Sequence, residues 1–227
     1  MKKKSLLLYL GFVCVLIVAA IYFWMNSAEP SNTDPNQAVK PVQSRTFLST
    51  DFLTNRFEYG DEAKVLKALH LCDSTVIESK NLNRPSCTPN FFRLLPLKKE
   101  LPLSEGCMVL LKAGVNGFPV RRLVIYEREG AQLIQANGFI GYPIELRPTA
   151  TSYDDIVIRF FERYEGAPYF YNCLFTWKNR RYQFVRCEEV TVYNDNGIAR
   201  MAKVKPEKIE SFSKQVFQIL REKQLVF

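Results

Sequence analysis

The chain predicts an α+β domain: an antiparallel β-sheet meander of about five to six strands with helices packed on one side, preceded by an N-terminal transmembrane helix. Three observations predict it. A charge-free apolar run opens the chain, Val-, Ile-, Phe- and Tyr-rich segments with short breaks fill residues 107–193, and an amphipathic stripe closes it.

No charged residue lies between Lys4 and Glu29, and Leu6 to Trp24 is continuously apolar. As a helix such a run spans about 28 Å, the thickness of a bilayer core. Lys2, Lys3 and Lys4 precede it, so the positive-inside rule places residues 1–4 in the cytoplasm, a signal-anchor at 5–25 in the membrane and the body beyond it. The alternative is a cleaved signal peptide, for which Val18-Ala19-Ala20 offers the small residues. Against it, the run continues through Ile21, Tyr22, Phe23, Trp24 and Met25. Both readings export the domain, which the first leaves in a bacterial inner membrane as a single-pass protein facing the periplasm or exterior, and the second secretes. Residues 26–44 contain Pro30, Pro35 and Pro41 without glycine and read as an extended linker, leaving 45–227 as the extracytoplasmic domain. The absence of an Asn-x-Ser/Thr sequon fits a bacterial envelope.

In the domain, Asp61 stands where it can cap a helix whose Val65, Leu66 and Leu69 share a face. The rest of 45–100 reads as irregular, because Asn83-Arg84-Pro85, Thr88-Pro89, Leu95-Pro96 and Leu101-Pro102 bias the chain away from helix. Strands follow at about 107–113, 119–127, 131–140, 154–163, 168–177 and 181–193, and their short connections require antiparallel pairing. Pro206 then opens a terminal helix with Ile209, Phe212, Val216, Ile219 and Leu220 on one stripe.

Charge excludes one function class. Residues 45–227 carry 27 basic and 21 acidic side chains, and the pairs Lys98-Lys99, Arg121-Arg122 and Arg180-Arg181 are scattered among glutamates. Nucleic-acid binders concentrate positive charge on one face, so nucleic acid is not an expected partner.

Five cysteines lie beyond the membrane segment. Spacing makes Cys72–Cys87 and Cys173–Cys187 the candidate disulfides, and leaves Cys107 as a buried free thiol in an apolar run. For the second pair the turn at Lys178-Asn179-Arg180-Arg181 matters: a three-residue loop sets the cysteines opposite each other, a two-residue loop at Asn179-Arg180 on opposite faces.

Residues 153–184 hold eleven of the thirty aromatic residues. Alternation over 169–177 puts Tyr169, Tyr171, Cys173, Phe175 and Trp177 on one face and Phe170, Asn172, Leu174 and Thr176 on the other. Amphipathic Tyr and Trp favour recognition surfaces, so Tyr169, Tyr171 and Trp177 with Arg159, Arg163, Arg180 and Arg181 are the candidate binding residues; packing of both faces into core is the competing account.

For acid–base chemistry the paired carboxylates are Asp154-Asp155, Glu127 with Glu129, and Glu188-Glu189. Strand alternation separates the adjacent pairs, and Glu127 and Glu129 share a face only if their strand runs on to Gly130. His70, the sole histidine, lies two residues from Cys72, and residues two apart on a helix diverge. There is no Cys-x-x-Cys, Gly-rich phosphate loop, G-x-S-x-G or H-E-x-x-H, so the sequence names no catalytic residue, cofactor or metal-ligand set. The preferred reading is a membrane-anchored, non-enzymatic binding or envelope-assembly module with an envelope protein or glycan as partner. The alternative is a periplasmic hydrolase acting on glycans or esters through carboxylates.

Overall fold

A computed structural model describes residues 43–73, 85–112, 120, 122–150, 152–164, 167–193 and 199–227. The predicted membrane segment lies outside the described residues, as does the linker up to residue 42; among the described residues no helix is long and apolar enough to cross a membrane.

The domain is mostly antiparallel β-structure in two sheets. β2 (Phe92–Pro96), β3 (Gly106–Leu111), β4 (Arg122–Glu129) and β5 (Gln132–Phe139) form a four-stranded meander. A curled six-stranded sheet contains β1 (Arg45–Thr46), β6 (Gly141–Arg147), β7 (Asp155–Tyr164), β8 (Ala167–Lys178), β9 (Arg181–Tyr193) and β10 (Ala199–Lys203), ordered β1-β6-β7-β8-β9-β10. Two helices accompany them, the short α1 (Glu62–Ala68) and the terminal α2 (Ile209–Glu222).

The six predicted strands correspond to β3, β4, β5, β7, β8 and β9, but they are divided between two sheets, and β1, β2, β6 and β10 join them. Pro96 disguised β2. As an edge strand it pairs only with β3, so the missing N–H of Pro96 is tolerated. β6 was hidden by Gly141, which looks like a break but is where the chain changes sheets. β5 ends at Phe139 and β6 begins at Gly141, and a Cβ at Gly141 would sit 2.7 Å from the Arg159 carbonyl oxygen. Only glycine lets the two backbones approach this closely.

Strands β2 and β3 of the small sheet are buried on both faces. Along β3, Cys107 and Val109 join Val65 and Leu66 of α1 and Phe92, Leu94 and Tyr126 in one cluster. Met108 and Leu110 point the other way, into the main core. That core is shared: Leu95, Leu97, Leu123, Ile125 and Phe139 of the first half meet Ile156, Ile158, Phe160, Cys173, Phe175 and Tyr182 of the large sheet. The predicted stripe of α2 closes the core with Val216 and Leu220, and Phe212 packs alongside. Phe139 lies among Phe160 and Phe175, ring centroids 6.3 and 5.0 Å away.

Polar groups complete the junction. Buried Asn137 donates from Nδ2 to the Tyr182 carbonyl (3.0 Å) and accepts the Tyr182 N–H at Oδ1 (3.3 Å), so one side chain on β5 extends the ladder of β9. The last residues lie beside the crossing: Gly138 and Phe227 exchange backbone hydrogen bonds of 2.7 and 3.0 Å, and the Ile140 N–H donates to Leu225. At the other end Arg93, 6% exposed, donates to the Asp51 carbonyl and to Glu58, binding the N-terminal segment to β2. α1 forms where expected, with Val65 and Leu66 inward, but its N-terminus differs. Asp61 makes no side-chain cap; Glu62 instead accepts the N–H groups of Glu58 and Tyr59 at 2.8 and 2.9 Å.

The sulfurs of Cys72 and Cys87 lie at bonding distance, with Cα atoms 5.1 Å apart. Cys107 is a buried free thiol, as are Cys173 and Cys187. The turn between the latter two is the two-residue form: Lys178 pairs with Arg181, and Asn179 and Arg180 adopt φ of 53° and 61°. Strict alternation would then separate the cysteines, yet Cys173 pairs with Cys187, because Val185 is an extra residue that shifts the register by one. The two candidate partners thus face each other across β8 and β9, unbonded in this structure.

Candidate functional site

The aromatic face of β8 is mainly core. Tyr171 is 6% exposed, and Cys173 and Phe175 are fully covered. Tyr169 is half-buried and stacks on Tyr171 with centroids 6.4 Å apart. Trp177 lies eight residues further on, about 26 Å along an extended strand, so these three residues do not make one patch. The arginines are divided too. Arg163 is exposed, as are Arg180 and Arg181 in the hairpin turn. Arg159 points away from the core and donates from Nε to Asn172 Oδ1 at 2.9 Å.

That second face of the large sheet is concave and charged. Asn172 donates to Glu189, and Arg147 on β6 makes a two-pronged contact with Glu188 on β9 at 2.9 and 2.7 Å. In the sheet order these strands are three places apart, about 14 Å in a flat sheet, so the curl brings the side chains within reach. Arg147 also bonds Glu145, and Arg186 bonds Glu188. Burial pushes the Glu188 carboxyl upward, but the hydrogen bonds and charges of Arg147 and Arg186 together hold it below its ordinary value. Glu188 is the extra residue of a second bulge, between the pairs Asn172–Glu189 and Cys173–Cys187. A bulge suspends alternation. The contacts of Glu188 and Glu189 place both on the concave face, contrary to the sequence expectation that adjacent residues separate.

What remains open is the end of the domain where Trp177 lies. A depression of about 560 Å³ is lined by Lys98, Glu100, Leu101, Glu127, Ser152, Tyr153 and Trp177. Each wall has a local cause. Lys98 follows β2, and its ammonium donates to the carbonyls of Thr149 and Ser152, both 3.3 Å away. The Asp154 N–H donates to the Leu97 carbonyl at 3.1 Å, fixing the segment that presents Tyr153. Gly106 leaves room for it: a Cβ there would meet Leu97 at 2.8 Å and the Tyr153 hydroxyl at 3.3 Å. Tyr153 and Trp177 then meet edge to face, centroids 4.8 Å apart at 73°, and Trp177 makes a second T-shaped contact with buried Tyr182 at 5.1 Å.

The floor is aromatic and the rim carries both signs of charge. β4 does run on to Glu129, so Glu127 and Glu129 share a face, and Arg180 pairs with both, its Nε 2.9 Å from Glu127. Burial, then the nearby charges of Glu127 and Glu105, raise the Tyr153 hydroxyl, so it remains a neutral donor. Burial also raises the Asp154 carboxyl. Among the described residues no group of three or more His, Cys, Asp or Glu is placed to hold a metal ion. His70 lies in a separate depression between α1 and the turn joining β4 to β5, with Asp61, Lys64, Arg128 and Gln132.

Of the predicted binding residues the structure therefore brings together Trp177 and Arg180. Sequence reading missed Tyr153, Lys98 and Ser152 as their companions. The clustered prolines around residues 96 and 102 signalled loops there, but nothing local signals that these loops meet the β8–β9 hairpin. Comparison with protein-family models, with curated proteins and with solved structures finds no match to this chain.

Proposed function

We propose that this chain is a membrane-anchored binding or assembly module of a bacterial envelope, presented across the inner membrane by residues 5–25 and the linker 26–44, with the depression around Trp177 as its contact surface. The observation that carries the reading is Trp177 itself. It is a half-exposed indole held between Tyr153 and Tyr182 at an open surface with hydrogen-bonding groups around it. Rigid aromatic side chains with polar neighbours contribute contact area at low entropic cost, which suits recognition.

The hydrolase alternative has the carboxylate contacts against it. Glu127 and Glu129 are tied to Arg180, Glu188 to Arg147 and Arg186, and Glu189 to Asn172. A general acid needs a carboxyl free to exchange a proton with substrate, and these four are already engaged by cations or an amide.

The test uses full-length protein in cells of its source, with a photo-crosslinking residue at position 101 in the lining and, separately, with Trp177→Ala added to it and checked for folding by circular dichroism. Crosslinking to one envelope component, lost in Trp177→Ala, is the expected result. Hydrolysis of a glycan or ester by the purified protein, with no adduct formed, would overturn it.

A further inference from the structure

We infer that the ligand of the Trp177 depression is a neutral, hydroxyl-rich glycan. The inference rests on the binding role proposed above and names its chemistry. The rings of Tyr153 and Trp177, 73° apart, make a corner whose indole wall is held in place by a second edge-type contact with Tyr182. A sugar ring has the matching anatomy, with a face of C–H groups that packs on an aromatic plane and an edge of hydroxyls that both donate and accept.

The rim offers both partners to such hydroxyls: the Glu127 carboxylate and the Ser152 hydroxyl accept, while the Lys98 ammonium donates. Its charges do not favour an anion. Glu100 and Glu127 stand in the lining against Lys98, and Arg180 is shared between Glu127 and Glu129, so an anionic ligand gains no net cationic attraction. A volume of about 560 Å³ lies in the range of small-ligand sites and suits a short stretch of oligosaccharide.

A protein partner fits less well. Stable protein interfaces cover about 800 Å² on each side, with an apolar centre. The exposed large hydrophobic residues, Leu48, Leu53, Tyr59, Ile134, Ile140, Val185, Phe217 and Phe227, all lie outside this depression.

Trp177 supplies its own reporter, because the only other tryptophan is Trp24. Detergent-solubilised full-length protein carrying Trp24→Phe is titrated with chitotetraose, cellotetraose and maltotetraose, followed by tryptophan fluorescence and, for variants lacking Trp177, by calorimetry. The expected result is saturable binding of at least one of the three. It should weaken about tenfold in Lys98→Met and in Glu127→Gln, vanish in Trp177→Ala, and persist in Lys214→Ala on the exposed face of α2. Absence of saturable binding to all three at millimolar concentration overturns the inference, as does binding unchanged in Trp177→Ala. If the sugars fail while a residue-101 crosslink to an envelope protein succeeds, the glycan assignment falls and the binding role stands; if both fail, both fall.

Discussion

The two sheets solve the same burial problem differently. Strands β2 and β3 are covered on both faces, by α1 and its cluster on one side and the shared core on the other. β3 is accordingly a continuous apolar run, Cys107 to Leu111, with no polar alternation. The large sheet is covered by core on one face only, and its concave face binds charges to one another: Arg147 with Glu145 and Glu188, Arg159 with Asn172, Asn172 with Glu189. Two-sided burial makes the first sheet depend on its neighbours. One-sided burial gives the second a polar surface and an edge where Trp177 can remain half-exposed.

The strongest way to break this comparison is Phe139→Ala. Phe139 ends the small sheet but lies among the rings of the large one, so its removal should cost about 3–5 kcal/mol and destabilise both sheets as a unit. Hydrogen exchange in β3 and β8 should then show the same loss of protection; loss confined to one sheet would mean that the core is not shared.

Removing the Cys72–Cys87 bridge sharpens the contrast, since it touches only the small-sheet side. Replacing both cysteines by serine should cost about 3 kcal/mol for a loop of this length, measured by denaturant titration under non-reducing conditions. Asn137→Ala tests the seam between the sheets. It strands the buried N–H and C=O of Tyr182 and should cost about 2 kcal/mol or more, whereas a change below a few tenths would show that water replaces the amide.

Cys107 makes the small sheet sensitive to alkaline pH, as buried Cys173 does the large one. Burial, with a smaller contribution from Asp61, raises the Cys107 thiol from 9.0 to about 12. The folded state thus retains a proton that the unfolded chain releases above pH 9.0, so this contribution to stability is complete below that value. It should decline by about 1.4 kcal/mol per pH unit until the folded thiol ionises near 12. Alkaline denaturation of Cys107→Ala should show a correspondingly shallower slope. Smallest of all is Arg180→Ala. Its guanidinium is exposed, its ion pairs with Glu127 and Glu129 are screened by water, and the thermal midpoint should not move measurably even though the rim of the Trp177 depression becomes more acidic.

The legible and illegible parts of the molecule separate along physical lines. The stripe of α2, Val65 and Leu66 on α1, and the long strands β7, β8 and β9 could be read because each is a local pattern of burial at a fixed period. β2 and β6 could not, because Pro96 and Gly141 are breakers in most surroundings and are tolerated here by an edge position and a close backbone crossing. The candidate site was half legible. Trp177 and Arg180 are neighbours in the chain, whereas Lys98, Glu127 and Tyr153 join them only through contacts between distant segments.

By itself the sequence determined that this domain is rich in antiparallel strands, closes with an amphipathic helix and is densest in aromatic residues between positions 153 and 184. Tertiary structure alone decided which strands share a sheet, which face of β8 became core, and that Cys173 meets Cys187 while Glu188 and Glu189 lie side by side. The reason is that a residue's polarity records how deeply it is buried, but not against what. Partners and register are set by hydrogen bonds and packing between segments far apart in the chain, where one extra residue, such as Val185, reverses the faces that follow it until the next bulge, at Glu188, shifts them again.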